Sequence, residues 1–280
     1  MPSPPFRPHP LLRGGHAQTL AGALLPVAAA PYRATRHVVA LPDGDAVVFQ
    51  AVGRIWRMDL PDGSPSRVTP DDFVPFEFAP AWSPDGAWIA FTSWDDENRG
   101  HLWKVPSAGG APVRLSEEPG EFLNPAWSPD GTEVLVARGS GATARGRSFA
   151  DQAWFELVRY SADGGEVAHV TYAPASGGRS HPVRAQWNVD GRIFFMDVSD
   201  GEGGPSRREL VSLLPDGSDR RVHITLPYAD DMAVSPDVRH VAFQEGDNVY
   251  VTPLPMAGTA GDPVALEKKR GALPVTTVSK

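Results

Sequence analysis

The hexapeptide Ala81-Trp-Ser-Pro-Asp-Gly86 occurs twice in this chain, the second time as Ala126-Trp-Ser-Pro-Asp-Gly131. Looser copies follow at Gln186-Trp-Asn-Val-Asp-Gly191 and Val234-Ser-Pro-Asp-Val238, and Leu41-Pro-Asp-Gly44 precedes them all. The aspartates of these five copies lie 42, 45, 60 and 47 residues apart. A period of about 40 to 50 residues is the length of one four-stranded propeller blade. The repeat therefore predicts an all-β chain, a β-propeller with about five recognisable blades.

The Pro-Asp-Gly turn has a local physical reason. Proline presets φ for a turn, aspartate accepts a nearby backbone N–H, and glycine adopts positive φ, so two strands are joined at low cost. In the first unit this turn predicts a blade in which Ala46–Gln50 pairs with Ile55–Leu60. The tryptophans that precede the later turns, Trp82, Trp127 and Trp187, are predicted to pack between neighbouring blades, because sheet faces form the propeller core.

The clearest unit shows four strands. They are predicted at Phe78–Ser83, Trp88–Ser93, His101–Val105 and Pro112–Ser116, with Gly109-Gly110 between the last two, because each run is rich in aromatic or branched residues and is bounded by turn formers. The same order recurs in the other units.

The last unit is the least complete. Val241–Gln244 and Asn248–Thr252 supply two strands, and Pro263–Leu266 is the candidate for the outermost one. The closing stretch Leu273–Lys280 resembles a strand that is cut off before its blade is complete. The sequence therefore leaves open whether the propeller is incomplete at its C-terminus. We assign residues 38–280 to the propeller and residues 1–37 to a leader outside it.

Composition excludes several classes of function. The formal charge of −8 disfavours a nucleic-acid partner, and the absence of cysteine excludes disulfides and thiolate metal sites. No apolar run reaches the roughly 18 residues of a membrane span. Leu20–Ala30 is similar to a secretory signal core, although Pro26 interrupts it. We favour a cytoplasmic location, with a periplasmic or secreted one as the alternative.

Residues 41 to about 255 resemble the TolB-type, WD-like propeller repeats, because the Trp-Ser-Pro-Asp-Gly, Gly-Gly and Arg-Leu-Ser elements recur in the proper order. The runs at Val47–Trp56, Gly100–Trp103 and Gly139–Arg147 are similar to the propeller segment attached to bacterial amidohydrolase-type hydrolases. That resemblance implies a catalytic metal-binding barrel separate from the propeller. The motifs of such a barrel do not occur in this chain.

The leader resembles a different family. Leu11–Leu20 and Leu41–Asp45 are similar to the opening of YheT-like α/β-hydrolases, although Gly15 and Ala17 depart from that pattern. The rest of a hydrolase does not follow, since the chain contains no Gly-x-Ser-x-Gly, His-x-His or His-Glu-x-x-His motif. The sequence favours a chain that is not an enzyme, and we assign no catalytic residue, no cofactor and no resident metal.

Candidate ligand residues fall on loops at the end of the propeller opposite the Pro-Asp-Gly turns, because strands run up and down within a blade. The acidic turn Asp95-Asp96-Glu97 is the only weak metal candidate, and a solvated hairpin is the preferred interpretation. The insertion Gly139–Gln152 is either a docking loop for a partner or a surface loop, and His181 lines either an anion pocket or the surface. The predicted face consists of Asp71, Asp72, Asp95, Asp96, Glu121, Arg145, Arg147, Arg179, His181 and Arg184.

Three functions remain open from the sequence. The first is a non-catalytic propeller module that binds a protein partner or serves as the accessory or substrate-gating part of a larger amidohydrolase-type hydrolase. The second is a hydrolase in its own right, either a YheT-like remnant or a metal-dependent amidohydrolase. The third is a secreted, TolB-like propeller that binds a partner in the cell envelope.

Overall fold

The structure is a computed structural model that describes residues 35–41, 43–142, 145–147, 154–174, 183–199, 207–235, 237–245, 248–254, 264–265 and 278–279. The chain is all-β, with five sheets arranged as a five-bladed propeller. Each sheet contains four strands in chain order, and each of these strands pairs antiparallel with the next. The first strands of blades 1 to 4 contact one another in turn, so they lie nearest the axis.

The blades follow one another along the chain. Blade 1 contains β1 (Thr35–Ala40), β2 (Ala46–Ala51), β3 (Arg54–Asp59) and β4 (Ser66–Arg67). Blade 2 contains β5 (Phe76–Trp82), β6 (Trp88–Asp95), β7 (Arg99–Pro106) and β8 (Val113–Arg114). Blade 3 contains β9 (Phe122–Trp127), β10 (Glu133–Gly139), β11 (Trp154–Ser161) and β12 (Glu166–Pro174).

The last two blades include strands from the C-terminal part of the chain. Blade 4 contains β13 (Ala185–Trp187), β14 (Ile193–Ser199), β15 (Arg207–Leu213) and β16 (Arg221–Leu226), joined by β20 (Val264–Ala265). Blade 5 contains β17 (Asp231–Val234), β18 (His240–Glu245), β19 (Asn248–Pro253) and β21 (Val278–Ser279). The propeller fold and the predicted pairing of Ala46–Gln50 with Ile55–Leu60 are confirmed.

One expectation about the C-terminal part is wrong. The sequence places the outermost strand of blade 5 at Pro263–Leu266, but β20 pairs in parallel with β16 of blade 4. The outermost strand of blade 5 is β21, which pairs antiparallel with β19, so that blade has four strands. Local sequence favours a strand at both places, but the choice of partner depends on which sheet edge is free, and that is a property of the assembled fold. Residues 1–34 of the predicted leader lie outside the described residues, so their separation from the propeller stays a prediction. The last three residues of the predicted leader, Thr35 to His37, belong to β1 of blade 1.

The four seams between consecutive blades each have an apolar core drawn from both of their sheets. The predicted packing of the tryptophans is confirmed, since Trp82 and Trp127 are 8% and 7% exposed and Trp187 packs against the core of blades 3 and 4. The indole N–H of Trp82 donates to Val39 O at 3.1 Å, and that of Trp127 donates to Ala81 O at the same distance. Trp82 and Trp127 therefore link neighbouring inner strands by hydrogen bonds as well as by apolar contact.

The Ser-Pro-Asp-Gly sequence forms the same hydrogen-bonded turn in blades 2 and 3. In blade 3, Ser128 Oγ donates to Asp130 Oδ1 at 2.6 Å and accepts the N–H of Glu133 at 3.0 Å. Asp130 Oδ1 also accepts the N–H of Thr132 at 3.1 Å. Because both side chains are used within the turn, the motif is a folding device, as the sequence predicts.

Asp130 provides a test of this turn in solution. The hydrogen bond from Ser128, aided by those from Thr132, holds the pKa of Asp130 below its ordinary value of 3.8. A carboxylate whose pKa is lowered in the folded state stabilises the fold above its unfolded pKa, and this contribution is lost as the pH falls through the folded pKa. Asp130→Asn should therefore unfold at a lower urea concentration than the wild type at neutral pH. The difference should shrink as the pH drops below the ordinary value, and a difference that is constant down to about pH 2.5 would contradict this account.

Candidate interaction site

The predicted functional face lies at the loop end, which we define as the end opposite the Pro-Asp-Gly turns. The β4–β5 connection, the β6–β7 hairpin and the β10–β11 connection all lie there, because β5 and β9 run towards the turns. Asp71, Asp72, Asp96, Arg145 and Arg147 are exposed at this end. Arg179 and His181 lie outside the described residues.

The acidic β6–β7 hairpin binds its own backbone. Asp95 Oδ1 accepts the N–H of Glu97 at 3.0 Å and the N–H of Asn98, and Asp96 accepts the indole N–H of Trp94 at 3.2 Å. Within the described part of the chain, no three His, Asp or Glu side chains are grouped as metal ligands. These contacts favour the hairpin interpretation of Asp95, Asp96 and Glu97 over a cation site.

Two further members of the predicted face have defined surroundings. Arg184 is exposed and forms an ion pair with Asp231 of blade 5 at 3.3 Å. Glu121 differs from the expectation of an exposed loop residue, because its side chain is only 6% exposed. Its backbone oxygen accepts the N–H of Gly139, which holds it at the start of the inner strand. These two described members of the predicted face therefore have separate surroundings, with Glu121 buried in blade 3 and Arg184 paired with blade 5.

An aromatic surface lies on blade 3, beside the insertion that carries Arg145 and Arg147. Trp154 begins β11 directly after this insertion and is 39% exposed, and Tyr172 on β12 is 59% exposed. Their ring centroids are 4.9 Å apart in an edge-to-face arrangement, and the His169 ring lies 4.4 Å from Tyr172. We call Trp154, Tyr172 and His169 the blade 3 aromatic surface.

A partly buried ionic network supports this surface. Glu156, 8% exposed, accepts from His169 Nδ1 at 2.8 Å and from Arg138 Nε at 2.9 Å. Arg138 also binds Glu166 at 2.8 Å, and the hydroxyl of Tyr160 lies 3.3 Å from Arg138 Nη1. The network therefore fixes the imidazole against the ring of Tyr172.

The pKa values reflect the same network. Burial opposes the charge of Arg138, but its hydrogen bonds to Glu156 and Glu166 outweigh burial and raise its pKa. Burial, with the neighbouring charge of Glu166, raises the pKa of Tyr160 to about 12. Arg138 is thus charged and Tyr160 neutral over the physiological pH range.

Sequence reasoning missed the blade 3 aromatic surface. The strand sequences around Trp154 and Tyr172 have the ordinary composition of propeller strands, in which an aromatic residue is normally buried. The available signal was the position of Trp154 directly after the long insertion, because the first residue of a strand lies at the end of its sheet and is often exposed. The alternation of side chains along each strand does not by itself show that the rings of Trp154 and Tyr172 are on the same exposed face.

A second exposed patch lies at the loop end of blades 1 and 2. Val52, Val74 and Phe76 are 67%, 76% and 57% exposed. The ring of Phe76 covers Gly53 so closely that a Cβ there would lie 2.6 Å from Phe76 Cδ1. Arg54 Nη1 donates to Pro75 O at 2.5 Å, which fixes the loop that carries Val74. We call Val52, Val74 and Phe76 the blade 1–2 apolar edge.

The structure also contains two Ser–His pairs that sequence reasoning did not detect. His101 Nδ1 lies 3.0 Å from Ser116 Oγ, and Ser212 Oγ lies 2.8 Å from His223 Nε2. Both hydroxyls are inaccessible, with Ser116 1% exposed and Ser212 0% exposed. Burial lowers the pKa of His101 and lowers that of His223 to about 4. These pairs satisfy buried polar groups, and neither presents a nucleophile to a substrate.

Solved structures confirm the architecture. A TolB-type protein from Agrobacterium tumefaciens superimposes with a TM-score of 0.58 at 20% identity, over 80% of this chain and 78% of that one. TolB from Acinetobacter baumannii superimposes with a TM-score of 0.52 at 17% identity, over 80% of this chain and 55% of the TolB chain. The chain has the fold of the TolB-like β-propellers. An oligogalacturonate lyase in complex with manganese shares this fold, with a TM-score of 0.60 and 15% identity over 78% of this chain and 61% of the lyase.

Sequence comparison of this TolB-like propeller finds a more limited likeness. No protein-family model matches the chain. The uncharacterised peptidase YuxL of Bacillus subtilis (strain 168) is 30% identical over 142 residues, which is 50% of this chain. The match covers 19% of the length of YuxL. Within the described residues, no helix is long and apolar enough to cross a membrane.

Proposed function

We propose that this chain is a non-catalytic TolB-like propeller that binds a protein partner through the blade 3 aromatic surface. The observation that carries the proposal is the exposed pair of Trp154 and Tyr172, held in an edge-to-face contact on the two strands that follow the loop with Arg145 and Arg147 in the chain. Tryptophan, tyrosine and arginine are the residues in which the binding energy of protein interfaces is concentrated.

The network beneath this surface supports the same proposal. An interface loses affinity when binding has to immobilise its side chains. Here Glu156 holds His169 at 2.8 Å, and the His169 ring contacts Tyr172, so part of the surface is ordered before a partner arrives. The outermost strand β12 places these groups at the rim of the propeller, where a large partner reaches them without entering the axis.

Trp154→Ala provides the test. The full-length protein and the variant are each used as bait in lysate of the source organism, and the affinity of the partner identified with the wild type is then measured by calorimetry. We expect Trp154→Ala to weaken binding by about 30-fold, because truncation of a central aromatic residue costs about 2 kcal/mol or more. Val189→Ala is the matched control, since Val189 is 67% exposed at the opposite end. Unchanged affinity of Trp154→Ala for that partner would refute this site.

The likeness to YuxL favours a second candidate, in which the partner is the catalytic part of a larger hydrolase. The matched 142 residues are a small portion of a peptidase, as expected if propeller repeats accompany a separate catalytic region. The purified chain should then leave ester and amide probes intact, with or without added divalent metal. If the purified native chain hydrolysed these probes and the denatured chain did not, the result would instead support an enzyme in its own right.

A further inference from the structure

The outer edge of blade 3 differs from those of the other blades. The outermost strands of blades 1, 2 and 5, which are β4, β8 and β21, are each two residues long, and β20 covers β16 of blade 4. By contrast, β12 has nine residues, Glu166–Pro174, and within the described residues it pairs only with β11. An edge strand of this length exposes a row of unpaired backbone N–H and C=O groups. Blade 3 therefore offers a long edge to a further strand.

A bulge in β12 shows which part of this edge corresponds to the covered edge of blade 4. The pairing of β12 with β11 skips Val170, and the pairing of β16 with β15 skips His223 in the same way. The two residues that follow each bulge are therefore equivalent. They are Thr171 and Tyr172 in β12, and Ile224 and Thr225 in β16.

Blade 4 shows what this position accepts. Its β20 (Val264–Ala265) comes from a distant part of the chain and pairs in parallel with Ile224 and Thr225. Two residues of extended backbone are thus enough to cover the edge beyond the bulge. At the equivalent position of blade 3, no strand of the described chain pairs with Thr171 and Tyr172 on their outer side. The propeller therefore contains one covered and one uncovered copy of the same edge.

The blade 3 aromatic surface lies beside the uncovered copy. Tyr172 is paired with Glu156, two residues along β11 from Trp154, so the two rings share one face of the sheet. The residue that an added strand places next to Tyr172 has its side chain on that same face. An apolar side chain there would contact the Tyr172 ring, which is 59% exposed.

We propose that β12 accepts an extended segment of the protein partner as a parallel fifth strand of blade 3, paired with Thr171 and Tyr172. Backbone hydrogen bonds along the edge supply affinity, and an apolar residue of the segment against Tyr172 supplies specificity. This proposal rests on the proposed function, because it states how the partner of the blade 3 aromatic surface is held.

A synthetic peptide with the sequence of residues 261–268, Gly-Asp-Pro-Val-Ala-Leu-Glu-Lys, is the probe, because it contains the two residues of β20. It is titrated into the isotope-labelled full-length chain, and the backbone amide resonances are followed by NMR. We expect the resonances of Thr171 and Tyr172 to shift. No shift at these two residues would overturn the proposal. Shifts confined to Ile224 and Thr225 would do the same, because they would mean that the peptide only exchanges with β20.

Backbone methylation of the peptide separates strand addition from ring contact. Only one of two successive N–H groups in a strand faces a given neighbour. One peptide is therefore methylated at the backbone nitrogen of Val264 and the other at that of Ala265. We expect one of them to bind about ten-fold more weakly than the parent peptide and the other to bind like the parent, because one methyl group removes a hydrogen bond to the edge. Equal affinities of the two methylated peptides would overturn the proposal.

A pair of protein variants tests the position on β12. Tyr172→Ala should weaken binding of the peptide several-fold, whereas Val167→Ala should not, although Val167 is also exposed on β12, at 46%. Equal effects would contradict the placement beside Tyr172. The two proposals fail separately. If Trp154→Ala weakens binding of the partner but the peptide does not pair with β12, only strand addition fails. If the peptide pairs with β12 but the partner ignores Trp154→Ala, only the proposed function fails.

Discussion

Glu77→Ala should lower the free energy of unfolding by about 3 to 5 kcal/mol, which is the usual cost of removing one partner of a buried ion pair. Glu77 is 0% exposed and lies between blades 1 and 2. Its carboxylate accepts the N–H of Ile55 at 2.7 Å, the hydroxyl of Thr69 at 2.6 Å and Nη2 of Arg67 at 3.1 Å. Alanine leaves these donors without their acceptor at a seam that water does not reach.

Asp71→Asn is the matched control for this prediction. Asp71 also pairs with Arg67, at 3.3 Å, but its side chain is fully solvated at 104% exposure. An exposed pair contributes little, so the control should change the free energy of unfolding by less than about 0.5 kcal/mol. Urea unfolding at neutral pH measures both variants. If Glu77→Ala unfolds within about 1 kcal/mol of Asp71→Asn, the carboxylate does not hold the seam in the way described.

Gly217→Ala should produce the second large loss of stability. Gly217 lies in the turn between β15 and β16 with a φ of +82°, and a Cβ there would lie 2.2 Å from the carbonyl oxygen of Val170. Val170 belongs to β12, so the clash is with the neighbouring blade. The backbone conformation alone costs an alanine about 1 to 2 kcal/mol, and displacing blade 4 from blade 3 adds to it. We expect a total loss above about 3 kcal/mol, within the range for strained or overpacked sites.

Gly191→Ala separates the two contributions. Gly191 has a φ of +78°, nearly the same as Gly217, but no atom lies within 4 Å of a Cβ built there. This variant therefore bears the conformational cost without the clash, and thermal unfolding should place it well above Gly217→Ala in midpoint temperature. Similar losses in the two variants would show that the contact with Val170 relaxes freely.

The sequence predicted the strands because their signals are local. The strand from Trp88 and the turn before it follow from β-branched and aromatic composition, from proline and from glycine, and the structure places β6 at Trp88–Asp95. The strand Val264–Ala265 was also predicted, but its neighbour was not. A two-residue strand has no pattern that selects one edge over another, so its pairing with β16 depends on the position of the whole C-terminal segment.

The candidate site was predicted less well than the fold. Loop charges such as Asp71, Arg145 and Arg184 were found because polar residues between strands are visible in the sequence. Trp154 and Tyr172 were not found, because an aromatic residue in a strand is buried in most cases and exposure depends on what packs against that face. Glu77 was not among the assigned site residues, whereas the structure buries this residue of blade 2 as the acceptor for donors from blade 1.

The sequence by itself determined the repeat, the blade length and the turn chemistry, since each Ser-Pro-Asp-Gly turn closes with hydrogen bonds among neighbouring residues. Only the tertiary structure decided how the blades join. The recurring glycines between the third and fourth strands appear in the sequence as turn formers, but Gly110 N–H donates to Val68 O and Gly165 N–H donates to Leu115 O of the preceding blade. At Gly217 the preceding blade also approaches closely, since a Cβ there would lie 2.2 Å from Val170 O. The sequence therefore shows the glycine as a turn former, and only the packed sheets show what approaches it.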